Sequence, residues 1–374
     1  MPNSREVMDA LERLGKFSIR FEIDQGANAF AFKARDRLLD RDVFLKVIYY
    51  STEVESDLLR EPQLLVQATQ SAPRSENLVQ VFGAEIIAVA AEQYLCLQME
   101  WIEGASLLSA LAKHAIGQMD ALRLSRGILH GVARLHDCRI LHRDLKPANI
   151  VLNGATPKIA DFGSAAILPS DATSVPASRH SALYVPPEGW ALEPRYSVAS
   201  DIYQVGMVLY ELINGPIDYE LRHYLTPKVL RELSDAGKNY DSLDDCGKSQ
   251  LADKGIAQLS SGQRLLLHGR TPRSYYSSKL RRIVNIATKP DAQQRYASAA
   301  EFISRLNQVD VPNWRPNTDM EFLATNWRGW DWTVATEGKS VVVRKARPNT
   351  GKFRKIPSSA FTSLGNAFSY VEEQ

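Results

Sequence analysis

The chain reads as an α+β protein: strands gather in its first third, helices in its middle, and a second small α+β unit closes it. Three observations carry this. Phe21 to Ala34 and Val43 to Tyr49 are rich in aromatic and β-branched residues and are joined by the charged turn ARDRLLDRD, the mark of paired strands. Leu124, Ile128, Val132 and Leu135 recur every three or four residues between about Asp120 and Asp137, which gives one buried face of a long helix. Beyond residue 309, Trp330, Trp332 and Val334 alternate like a strand, two more strands flank the turn PNTG, and Phe361, Leu364, Phe368 and Val371 form a helical stripe.

Size and composition bound the answer. With 374 residues, 44% hydrophobic and 24% charged, the chain can bury a large core over two or three domains. A net charge of +2 leaves no global field to recruit nucleic acid or membrane, so any basic surface must be local. Cys96, Cys138 and Cys246 lack paired spacing, which favours a reducing cytoplasm over a disulfide framework or zinc site. The longest apolar run, around Ile86 to Ala91, is too short to span a bilayer, and the N-terminus has no apolar signal core. The expectation is a cytoplasmic protein with no membrane helix of its own.

The chemistry lies in HRDLKPANIVL, which starts at His142, and in the DFG of Asp161, Phe162 and Gly163. Asp144, Asn149 five residues on, and Asp161 are hard oxygen donors of the kind that gather around magnesium and phosphate. Together these strings resemble the catalytic and metal-binding loops of the eukaryotic-like (Hanks-type) serine/threonine protein kinases, and the style of KARDRLLDRDV and RYASAAEF is similar to bacterial members.

That resemblance covers roughly residues 15 to 308 and implies a two-lobed fold using ATP and Mg2+ (or Mn2+). Asp144 would accept the substrate hydroxyl proton, Lys146 would contact the transferred phosphate and marks Ser/Thr substrates, and Asn149 and Asp161 would hold metal. Lys46, at the end of VFLK, would hold the α and β phosphates with Glu61 as its ion-pair partner. Met99 matches the gatekeeper, and Glu100 to Ile102 the hinge that meets adenine. Glu188, in a Pro-Pro-Glu variant of A-P-E, would pair with Arg295. Asp201 would brace the catalytic loop, and Ser181 stands where the family has a Thr facing the catalytic Asp. Arg143 implies control by a phosphate on Ser170, Thr173, Ser174 or Ser178.

Three departures fall in the first lobe. Only Gly26 remains of the glycine loop, in GANAFAFKA, and Asn28 and Ala31 restrict positive φ beside the phosphates. Phe44 stands where the family keeps a small alanine against adenine. Pro62 follows Glu61, and a proline inside a helix costs about 3 kcal/mol. The helix therefore begins near Glu61, or Glu55 is the true partner.

The chain thus divides into a first lobe at 1–99, a second lobe at 100–308 with an insertion at about 217–278, and the module at 309–374. VPNWRPN reads as a linker into that module, and Thr318 with Glu321 as the capping box of a short helix. The module is expected to dock partners or regulate the chain without entering the chemical step. Lys339, Arg344, Lys345, Arg347, Lys352, Arg354 and Lys355 occur there with no acidic residue between Gly338 and Ile356. Such a run suits phosphate backbones or an acidic partner, although a solvated face is the commoner outcome. Expected partners are protein substrates and a cognate phosphatase. Against the enzyme stands a pseudokinase scaffold, favoured by the altered nucleotide roof. A small-molecule phosphotransferase is disfavoured by the Lys146 pattern and by Pro-Pro-Glu.

Overall fold

The computed structural model describes residues 2–23, 29–50, 63, 64, 66, 68, 75–113, 116–178, 181–269, 271–318, 321–338, 340–356 and 361–374. Gly26, Asn28, Glu55, Glu61 and Pro62 lie outside the described residues, so the glycine loop and the partner of Lys46 on the helix are not placed.

Helix α1 (Ser4–Arg13) opens with a reciprocal cap, in which Asn3 accepts from the Glu6 N–H and Glu6 accepts from the Asn3 N–H. Its buried Val7, Ala10 and Leu11 lie on a five-stranded antiparallel sheet of β1 (Phe17–Ile23), β2 (Phe30–Asp36), β3 (Arg41–Tyr50), β4 (Val81–Val89) and β5 (Glu92–Glu100), ordered β1-β2-β3-β5-β4. Successive strand residues face opposite sides of a sheet. On β3 this sends Val43, Leu45 and Val47 into the core under α1 and leaves Phe44 and Lys46 on the side facing the cleft.

The second lobe follows with α2 (Leu107–Lys113) and α3 (Gln118–Asp137), whose buried stripe includes Leu124, Ile128, Val132 and Leu135. Beyond it run β6 (Ile140–Leu141), β7 (Ile150–Asn153), β8 (Thr156–Ile159), β9 (Ala166–Ile167), β10 (Val175–Pro176) and β11 (Arg195–Tyr196), which pair β6 with β9, β7 with β8 and β10 with β11. Helix α4 (Val198–Asn214) is buried at every residue from Ser200 to Ile213, as befits a helix enclosed on all sides. It packs so closely on α7 (Ser278–Ala287) that a Cβ at Gly206 would lie 2.7 Å from the Ala287 Cβ. Helix α8 (Ala299–Asn307) packs on α3.

The polar stretch at 217–278 forms α5 (Pro227–Asp235) and α6 (Asp245–Ser261). This stretch packs into the body of the second lobe. Tyr224, Ile256, Leu259, Leu265, Tyr275 and Tyr276 are buried in the main core, and a Cβ at Gly255 would meet the Tyr224 carbonyl oxygen at 2.0 Å.

Two expectations fail at the C-terminal end. Thr318 and Glu321 do not cap a helix: β12 (Arg315–Thr318) and β13 (Glu321–Trp327) pair there, with Thr318 opposite Glu321. A capping box is a local preference, and here cross-strand pairing through β13, β14 (Trp330–Glu337), β15 (Ser340–Ala346) and β16 (Arg354–Lys355) overrides it. VPNWRPN is not a free linker either. Val311 and Trp314 are 0% and 1% exposed, and Asn313 Oδ1 accepts from the Met119 N–H at 2.9 Å, tying the segment to the start of α3. Helix α9 (Leu364–Glu373) then brings Phe368 edge-on to Trp314, Phe322 and Tyr275. Tyr275 belongs to the second lobe, so module and lobe share one core.

Candidate active site

A cleft of about 730 Å³ lies between the lobes. Its apolar end is formed by Ile23, Phe44, Val79, Met99, Ile102 and Val151, and its polar end by Lys46, Lys146, Asn149 and Asp161. Met99 stands directly opposite Phe44 in the β3–β5 ladder. Glu100 turns its carboxylate to Lys158 (2.8 Å) and the Gln80 N–H (2.9 Å), while the Ile102 carbonyl accepts from the Gly104 N–H. The Glu100 side chain therefore ties the hinge to β8.

The catalytic strings converge at the polar end. Lys46 Nζ reaches Asp161 Oδ1 at 3.0 Å across the two lobes. Burial opposes the Asp161 charge, but the Lys46 ammonium and its hydrogen bond outweigh burial and hold the carboxyl below its ordinary value. Asp144 Oδ2 accepts from Lys146 (2.9 Å) and from Asn149 Nδ2 (3.1 Å). Lys146 also donates to the Ser181 hydroxyl at 2.5 Å, so one ammonium joins the catalytic loop to the segment after DFG.

A frame fixes this loop. Asp201, wholly buried on α4, accepts from the N–H groups of His142 (3.0 Å) and Arg143 (2.9 Å) and is paired with His136 Nε2 at 2.8 Å. Burial alone would raise its pKa; His136 and the main-chain donors bring it below the ordinary carboxylate value. Gln204, one turn further along α4, accepts from the Leu145 N–H and donates to the Arg143 carbonyl. Arg143 and Asp161 sit at φ 68° and 60°, left-handed conformations that non-glycine residues hold only when their surroundings enforce them. Glu188 receives a two-pronged ion pair from Arg295 at 2.7 and 2.8 Å, with the Ser200 hydroxyl on the same carboxylate.

The candidate regulatory residues are placed less uniformly. Arg143 donates to the main-chain carbonyls of Ser164 and Pro176. Ser170 and Thr173 are exposed, and the Ser174 hydroxyl accepts from Arg195 at 2.8 Å. Ser178 is only 8% exposed and its hydroxyl has no partner among the described residues, so this conformation withholds it from phosphoryl transfer.

Sequence reasoning missed His136, Gln204 and Lys158. Only Gln204 left a usable trace, three residues after Asp201 on the same face of a helix. The other two meet their partners across long sequence separations.

Asn149 and Asp161 carry amide and carboxylate oxygens of the kind magnesium takes, and would hold it if nucleotide phosphates completed its shell. No cluster of three His, Cys, Asp or Glu occurs among the described residues, and a metal shared with phosphates does not require one.

A two-lobed fold with a cleft lined by Lys46, Asn149 and Asp161, and with Asp144 hydrogen-bonded to Asn149 beside it, defines a protein of the kinase fold class. The protein kinase domain matches residues 17–313, and the chain belongs to that family, whose members bind ATP. Its relatives include bacterial Hanks-type enzymes. Serine/threonine-protein kinase PrkC of Bacillus subtilis is 30% identical over 217 residues, 55% of this chain and 31% of that protein. Serine/threonine-protein kinase pkn2 of Myxococcus xanthus is 27% identical over 226 residues, 57% of this chain and 26% of that protein. CBL-interacting serine/threonine-protein kinase 21 of Arabidopsis thaliana is 26% identical over 223 residues, 59% and 52% of the two chains. The matched region thus spans between about a quarter and a half of these relatives.

Proposed function

We propose that the chain is an ATP-dependent serine/threonine protein kinase of the bacterial type that phosphorylates protein hydroxyls, its own included, in the cytoplasm, with a cognate phosphatase reversing its action. The observation that carries this is Lys146, whose ammonium touches both Asp144 and Ser181 beside Asn149 and Asp161. Asp144 would orient a substrate hydroxyl and take its proton, and Lys146 would meet negative charge on the phosphoryl group in transit. Asn149 and Asp161 would hold magnesium (or manganese), and Lys46 would meet the nucleotide phosphates. Bound ATP with its metal supplies the phosphoryl group and the charge neutralisation that transfer requires.

The decisive experiment incubates purified chain with labelled ATP and magnesium, with and without a generic Ser/Thr protein substrate. Label on protein hydroxyls that disappears in Asp144→Asn is expected. Equal labelling in both proteins would overturn the proposal. A protein that binds nucleotide or partners yet never transfers phosphate would be the pseudokinase, the reading that Phe44 in the cleft favours.

A further inference from the structure

The basic run of the C-terminal sheet is divided between two faces. Arg344 pairs with Glu337, and Lys355 stands beside Arg344 in the β15–β16 register, on the same face. Lys345 lies opposite Trp332 and next to Arg354, on the other face. Trp330 and Arg347 share that second face, each two residues from a member of the pair.

On that face the cations are organised by indole rings. The Arg347 guanidinium carbon sits 4.0 Å from the centre of the Trp330 ring, and Lys345 Nζ lies 4.6 Å from Trp330 and 5.6 Å from Trp332. A guanidinium stacked on a ring keeps its in-plane N–H donors pointing outward, the arrangement that grips a phosphate in two-pronged fashion. Arg347 and Arg354 are exposed, and residues 340–356 contain no Asp or Glu. Trp330 already carries two of the chain's own cations and Trp332 is buried, which argues against stacking of nucleic acid bases, and three cations on one corner suit a short anionic segment better than a long polyanion.

We propose that the corner formed by Trp330, Lys345, Arg347 and Arg354 docks protein segments carrying phosphoserine or phosphothreonine. The choice of a phosphorylated protein rests on the proposed kinase function, since the cleft of the same chain would make such segments.

The test uses the full chain with Asp144→Asn, so that binding is read without catalysis. The probes are a fluorescein-labelled nine-residue Gly/Ala peptide with two phosphoserines, its unphosphorylated twin, and a single-stranded nine-nucleotide DNA, followed by fluorescence anisotropy. The phosphopeptide is expected to bind at least tenfold more tightly than its twin and more tightly than the DNA. Arg347→Ala with Arg354→Ala should weaken it at least tenfold while leaving the chain folded, with at most a small drop in thermal midpoint from the lost Arg347–Trp330 contact, because both side chains are exposed. Arg347→Lys, which keeps the charge but loses the fork, should recover only part of the affinity. Equal binding of the two peptides, tighter binding of the DNA, or an undiminished phosphopeptide affinity in the double variant would each overturn the proposal. Phosphopeptide binding by a chain whose unsubstituted form never transfers phosphate would strike the kinase reading and leave the docking site standing.

Discussion

Phe44 faces Met99 across the β3–β5 ladder, on the same side of β3 as Lys46, so a phenyl ring and a thioether together narrow the apolar end of the cleft. The ring is expected to crowd the nucleotide base, so Phe44→Ala should lower the ATP dissociation constant severalfold, as measured by calorimetry on a variant with an unchanged thermal midpoint. If the ring instead stacks on the base, the same change should weaken binding by about 0.5–1.5 kcal/mol, and that result would replace crowding with stacking.

Autophosphorylation should require both Asp144 and Asp161. Under the proposed function Asp144→Asn would remove the proton acceptor and Asp161→Asn would weaken the metal clamp, and each should lower turnover by orders of magnitude in a labelled-ATP assay. Undiminished transfer in both variants would remove the cleft from the chemistry.

Mass-spectrometric mapping of the autophosphorylated chain should place phosphate on exposed Ser170 or Thr173, or on Ser174 beside Arg195, and not on buried Ser178. Replacing Ser170, Thr173 and Ser174 with Ala should depress activity towards other substrates. Unchanged rates would leave this segment with no phosphate control.

The C-terminal module cannot be cut away without consequence. Phe368 packs edge-on to both Trp314 and Tyr275, and Asn313 accepts from the Met119 N–H at the start of α3, so truncation after Val309 strips the second lobe of part of its core. The truncated chain should show a lowered thermal midpoint and aggregate. Trp314→Ala alone should cost about 3–5 kcal/mol in denaturant unfolding. A soluble truncation with an unchanged midpoint would refute the shared core.

Asp201 gives the fold an acid-sensitive joint. Its pKa is lower in the folded chain than in the unfolded one, so its contribution is fully present above the ordinary carboxylate value near 4 and is lost as pH falls through the lower folded value. The thermal midpoint of the native chain should therefore fall more steeply below about pH 4 than that of Asp201→Asn. Parallel profiles would assign the acid sensitivity to other carboxylates, Asp161 among them.

The sequence by itself determined the α+β class, the strands around Phe44 and Lys46 and the stripe of α3, because each is written in neighbouring residues whose spacing follows strand or helix periodicity, and it carried the kinase strings as short motifs that resemble those of a known family. What only the tertiary structure decided were relationships between distant residues. His136 and Asp201 are 65 residues apart, and Asn313 meets the start of α3 across 194. Thr318 and Glu321 spell a helix cap locally, yet the pairing partners of β13 turned the same letters into a hairpin. Trp314 sits in a stretch that reads as a linker and is buried because Phe368, 54 residues later, returns to cover it. Burial and pairing depend on what the rest of the chain brings to a residue, and a window of sequence does not contain those neighbours.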